Sequence, residues 1–278
     1  MEILINELSL SGQYTSVDDF VAKSLTPLLS ILKTINASRD QLLKKDDFYS
    51  SSVTSQYTLY NTFVGTVSRQ YDEIRRAKTL LVKLFEDPFW EKDQKHSADS
   101  TYLYRANDIW GSSLAESCER DKVVLSFTHE DFVNNLLPVY KDEVVMNIDN
   151  LCDKGYYCEV CWQRHLISFE EYCIEKFKGG KLDFSQIDLK EGFILISQED
   201  ENLFFDGFRK FSELTWQQII VDDALEYKEF NNRKYFKQIP YQIYKFRFSR
   251  KYRCFGYTLE GIFHVLMFDL EHKLSDKG

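Results

Sequence analysis

The stretch YQIYKFRFSRKYRCFGYTLEGIFHVLMFD, residues 241–269, organises the reading of this chain. It breaks into three runs rich in aromatic and β-branched residues: Tyr241–Phe248, Tyr252–Tyr257 and Ile262–Asp269. Such residues suit a pleated, half-buried surface. Ser249-Arg250-Lys251 separates the first two runs and Thr258–Gly261 the second pair, both gaps of hairpin length. The pattern predicts an antiparallel meander. Strand alternation sets Lys245, Arg247 and Ser249 on one face of the first run and turns Phe246 and Phe248 to the other.

Working upstream, residues 199–213 and 216–225 read as helices, and Thr215 is placed to cap the second. Residues 196–278 are therefore expected to form a C-terminal module of two helices and an antiparallel sheet. Gly179-Gly180 is the clearest punctuation in the chain. It falls in a Cys-containing connector, 151–195, with a short helix capped by Ser168. Residues 1–150 read as a helix-rich body with a few strands. Residues 2–10 alternate like a strand. A helix starts at Ser16, with Asp18 and Asp19 in its first turn and a kink expected at Pro27. Residues 69–87 carry Ile74, Leu80, Leu81 and Leu84 at helical spacing, before the apolar plug Pro88-Phe89-Trp90. Residues 107–119 suggest a helix, 122–127 a strand, Thr128–Asp131 a further helix start and 142–148 a strand. The expected class is α+β.

The chain has 278 residues, enough for one large or two modest domains. Its net charge of −9 argues against nucleic-acid binding by the whole surface. The total hides an asymmetry: Lys228–Gly278 holds eleven Lys/Arg against five Asp/Glu, whereas the preceding residues hold 24 against 39. A basic tail on an acidic body seeks phosphate, or docks on the acidic body of the same chain. No run approaches a membrane span, and the first residues lack a basic signal-peptide region, so a cytoplasmic protein is expected. Six cysteines then read as thiols. Walker, GxGxxG, GxSxG and HExxH signatures are missing.

Residues 205–278 resemble a group of small uncharacterised bacterial proteins and, through them, the RelE/ParE toxin superfamily. The similarity rests on Thr215-Trp216-Gln217-Gln218-Ile219, on Phe246-Arg247-Phe248-Ser249 leading to Arg253 and Gly256-Tyr257, and on Phe263-His264-Val265-Leu266-Met267-Phe268-Asp269. It covers about a quarter of the chain. The resemblance implies a metal-independent endoribonuclease that uses the RNA's own 2′-hydroxyl as nucleophile on the ribosome. Arg247 and Arg253 match the phosphate-stabilising arginines. Tyr257, His264 and His272 are the acid–base candidates, and Lys245, Arg250, Lys251 and Lys273 the RNA contacts. ParE-type relatives keep the fold without this chemistry.

Each feature has a plainer reading. The basic hairpin can be a solvated edge that discourages strand pairing. His264, inside an apolar strand, can be a core residue. Cys152, Cys158, Cys161 and His165 include a CxxC spacing that suits zinc, yet all four would come from fourteen residues, and buried structural thiols fit as well. Two functions are expected from these residues. One is a toxin-like or ribonuclease-like effector of a bacterial toxin–antitoxin or phage-defence system acting on RNA. The other is a non-catalytic protein-interaction subunit of a bacterial defence or regulatory complex. Neither calls for a membrane or a small-molecule cofactor.

Overall fold

A computed structural model describes residues 1–38, 40–64, 87–271 and 273–274. The expected 69–87 helix and His272 lie outside the described residues, apart from Asp87. The class is mixed α and β. The chain divides into two compact units, Met1–Val160 and Cys161–Gly278. Most of the 151–195 stretch therefore belongs to the second unit.

The first unit is built on a seven-stranded mixed sheet of order β2-β1-β5-β7-β6-β3-β4. β1 (Glu2–Asn6) enters a helical segment of α1 (Val17–Phe20), a π turn (Val21–Leu25) and α2 (Thr26–Ala37), then returns as β2 (Gln41–Leu43), parallel to β1. Ser16 caps α1 by accepting from the Asp19 N–H. The expected kink at Pro27 is instead this π turn, which ends just before α2 begins with Pro27 in its first positions. α3 (Leu59–Val64), β3 (Tyr102–Tyr104), β4 (Asn107–Asp108) and α4 (Ser113–Ser117) follow. The helix expected over 107–119 is thus a hairpin strand and one short helix. Arg105 and Ala106 turn that hairpin with positive φ, a conformation the helical reading of 107–119 did not anticipate.

β5 (Val123–Ser126) joins β1 in parallel, and β6 (Leu136–Lys141) pairs antiparallel with β7 (Val144–Leu151). The start expected at Thr128 gives only a single 3-10 turn, Glu130–Phe132. The first unit is thus richer in strands than its sequence suggested. Strands expected over 2–10, 122–127 and 142–148 correspond to β1, β5 and β7, while β2, β3, β4 and β6 are additional.

α5 (Lys154–Gln163) contains the division between the units, and α6 (Phe169–Phe177) opens with a complete Ser168–Glu171 capping box. β8 (Leu182–Asp183), α7 (Glu201–Glu213), α8 (Trp216–Val221), β9 (Lys228–Phe230), β10 (Ile243–Arg247), β11 (Arg253–Leu259) and β12 (Ile262–Asp269) complete the second unit. Its five-stranded sheet runs β8-β12-β11-β10-β9, with β8 parallel to β12 and the other pairings antiparallel. The inner face is aromatic. Phe204, Phe208 and Phe211 of α7 pack on Phe246, Phe248, Phe263 and Phe268. Gly207 permits that approach, because a Cβ there would meet the Phe248 ring at 2.4 Å. No described helix is long and apolar enough to cross a membrane.

Candidate functional site

Sheet register fixes which side chains share the outer face of the second unit. Arg247 pairs with Arg253 and Arg253 with Asp269; Lys228 pairs with Lys245 and Lys245 with Phe255; Tyr257 pairs with His264 and His264 with Asp183. Lys245, Arg247, Arg253, Tyr257 and His264 therefore lie on one face. They do not form one site. Arg253 and Tyr257 are four residues apart on β11, roughly 13 Å at ~3.3 Å per residue. Between them a small apolar cluster of Phe230, Phe236, Ile243, Phe255, Leu266 and Leu274 occupies the face.

The arginine end is structural. The Arg247 guanidinium donates to the Ala224 carbonyl at 3.0 Å, the Asp223 carbonyl at 2.7 Å and the Glu226 carboxylate at 3.0 Å. It clamps the turn between α8 and β9, in which Glu226 has φ +48°. Arg247 is thus engaged with its own chain in this structure. Arg253 donates to the Ser249 carbonyl at 2.8 Å and the Tyr252 carbonyl at 3.1 Å. Both contacts hold the hairpin that exposes Arg250 and Lys251. Lys245 is only 8% exposed, with its ammonium 5.3 Å from the Phe230 ring centroid. Burial, then the nearby Lys228 and Arg253, hold its pKa below the usual lysine range. Lys273 is exposed and paired with Glu271 at 3.0 Å.

The other end has the geometry of acid–base chemistry. His264 Nδ1 lies 2.7 Å from Asp183 Oδ2. Asp183 is itself fixed by the Ser185 N–H at 3.0 Å and the Ser185 hydroxyl at 2.8 Å. Burial raises the Asp183 pKa, but the hydrogen bonds from Ser185 and His264 outweigh it and keep the carboxyl below its usual range. An ionised Asp183 selects the His264 tautomer with its proton on Nδ1, leaving the Nε2 lone pair available. The His264 ring stacks on Tyr257 (centroids 4.7 Å, 15°), and Tyr257 stacks on Tyr241 (4.6 Å, 18°). The Tyr257 hydroxyl donates to Gln186 at 3.1 Å. Burial, with Tyr241 and Asp183 adding to it, raises the Tyr257 pKa. Sequence reasoning did not join Asp183, Tyr241 or Gln186 to His264, and Asp183 lies 81 residues from its partner.

The four residues whose spacing suits zinc lie as follows. Cys152 Sγ is 3.3 Å from Asn135 Oδ1, Cys158 and Cys161 are buried, and the His165 ring faces the Gln198 amide at 3.1 Å. Among the described residues, no group of three or more His, Cys, Asp or Glu side chains is arranged to hold a metal ion.

The first unit offers one further arrangement. In its parallel half, strand order reverses between β1 and β5, the position where open α/β sheets usually bind ligands. Here the loops after the two strands are joined to each other. Phe127 N–H donates to Ser9 Oγ at 2.9 Å, and Gln13 and Tyr14 donate to the Thr128 carbonyl at 3.1 and 2.7 Å. Ser11 Oγ lies 3.1 Å from His129 Nε2. However, His129 Nδ1 accepts the Asp131 N–H at 3.1 Å, so a neutral ring carries its proton on Nε2 and donates to Ser11. This pair is not set up to activate a serine.

Comparison with protein-family models, with curated proteins and with solved structures finds no match for this chain.

Proposed function

We propose that the second unit is a ribonuclease-like effector module of a bacterial conflict system, a toxin–antitoxin or phage-defence device acting on RNA. The observation that carries this reading is the Asp183–His264 pair, which leaves Nε2 as a base beside a stack of two tyrosines. His264 takes the 2′-hydroxyl proton, the 2′-oxygen bonds to the adjoining phosphorus, and the P–O5′ bond breaks, the leaving 5′-oxygen taking its proton from water. The outer ring of the stack, Tyr241, receives a base. Arg250 and Lys251, exposed at the hairpin tip, contact backbone phosphates away from the cleaved one. Arg247 takes no part.

The test is cleavage of single-stranded RNA by the full chain with EDTA present. The expected products end in 2′,3′-cyclic phosphate, and His264→Ala abolishes them. Equal cleavage by wild type and His264→Ala would falsify the assignment.

A second reading, a non-catalytic interaction subunit, draws on a separate observation. The loop before α7 exposes Leu189 and Ile194, at 82% and 78% of their surface. If the wild-type chain cleaves no RNA, this reading replaces the first.

A further inference from the structure

We infer that a groove on the second unit, formed by the start of α6 and the 187–194 loop, docks a partner segment that is aliphatic and basic. The groove encloses about 490 Å³ and is lined by Phe169, Ile187, Leu189, Phe193 and Ile194, with Ser168 at one end. That volume falls in the range of roughly 300–1,000 Å³ common for occupied clefts. Phe169 and Phe193 are buried and rigid, their rings packed edge to face at 5.7 Å. Leu189 and Ile194 stand out from this floor as two of the most exposed aliphatic side chains among the described residues. Exposed contiguous apolar surface beside a formed cleft is characteristic of interaction sites.

Charge specifies the occupant. The three charged residues lining the groove, Glu170, Asp188 and Glu201, are all acidic. The adjacent cation, Lys190, lines a different cavity together with Glu191, Asp269 and Glu271. Two of the carboxylates are held in place: Asp188 Oδ1 accepts the Lys190 and Glu191 N–H groups at 2.7 and 3.1 Å, and Glu201 accepts the Trp162 indole at 2.7 Å. An apolar floor with a fixed acidic rim selects leucine-like side chains flanked by lysine or arginine. It rejects an acidic segment by like-charge repulsion. This surface is distinct from the His264 stack, so the inference does not depend on RNA cleavage.

The experiment measures fluorescence anisotropy of a labelled Leu–Lys amphipathic peptide, and of its Leu–Glu counterpart, with the full-length chain. Binding of the Leu–Lys peptide only is expected. Leu189→Asp with Ile194→Asp should weaken it by about tenfold or more, and Glu170→Gln by several-fold. Val144→Asp, an exposed change in the first unit, should leave it unchanged. The substituted side chains are exposed, and circular dichroism checks that each variant is folded. Unchanged binding in the Leu189→Asp, Ile194→Asp variant overturns the proposal. It is equally overturned by sedimentation showing a dimer that the same variant dissociates, because the occupant would then be a second copy of the chain.

Discussion

The Asp183 carboxylate and the His264 imidazole meet at 2.7 Å across β8 and β12, the one parallel pairing in the second sheet. Removing either partner separates tautomer control from the base itself. His264→Ala is expected to abolish RNA cleavage, whereas Asp183→Asn should lower it by roughly 10²–10⁴-fold by releasing the tautomer. Rates measured across pH distinguish the two variants. Similar cleavage by Asp183→Asn and wild type at every pH would remove Asp183 from the mechanism.

The same pair affects stability at acid pH. The folded pKa of Asp183 lies below its unfolded value. The folded state therefore binds fewer protons between the two values, and stability rises with pH there. The contribution is complete above the unfolded carboxylate pKa and is lost as pH falls through the folded one. Urea denaturation between pH 2 and 7 should show a shallower acid decline for Asp183→Asn than for wild type.

Arg247→Met is expected to destabilise the second unit by about 1 kcal/mol, since two partly exposed carbonyls and the Glu226 carboxylate exchange their guanidinium donor for water. Urea midpoints measure this. Full stability with lost RNA binding would return Arg247 to a role on the ligand.

Lys245→Met should stabilise the protein by about 1 kcal/mol, because a buried ammonium beside Lys228 and Arg253 gives way to an apolar chain of similar length. The folded pKa of Lys245 is depressed, so its charged form opposes folding, and stability rises with pH through the interval between folded and unfolded values. The gain from the substitution should be largest at neutral pH and shrink toward pH 10. A destabilised variant would show that the ammonium has a favourable role in the fold.

Thiol reactivity should follow burial. Burial, aided by Glu119, pushes the Cys118 thiol up to about 12, and burial raises Cys173 and Cys254 well above the ordinary value. Cys152, only partly buried, should be alkylated first at pH 8. Mass spectrometry of the folded chain after iodoacetamide gives the order.

The meander was legible in the sequence because its breaks fall at hairpin lengths and its runs are aromatic. Helices 201–213 and 216–221 were legible as the runs 199–213 and 216–225, the second through its Thr215 cap. Of the seven-stranded sheet, β1, β5 and β7 were legible as the runs 2–10, 122–127 and 142–148, whereas β3 and β4, with three and two residues, show too little alternation to register. The basic face was legible as a set of residues but not as distances along a strand, which separate Arg253 from Tyr257. The Asp183–His264 contact depends on β8, a two-residue strand far away in sequence.

His264 was the most difficult residue to place, for a reason visible in the register. Arg253 and Tyr257 are four positions apart, while their partners Asp269 and His264 are five apart. Leu266 is the additional residue, a bulge opposite the Phe255/Gly256 step. Strict alternation would group His264 with Phe268 and turn it toward the α7 phenylalanines. A single-codon deletion at 266 would therefore erase the bulge without exchanging the faces: His264 and Phe268 would fall on opposite sides by plain alternation, and the imidazole would keep the solvent side of the sheet.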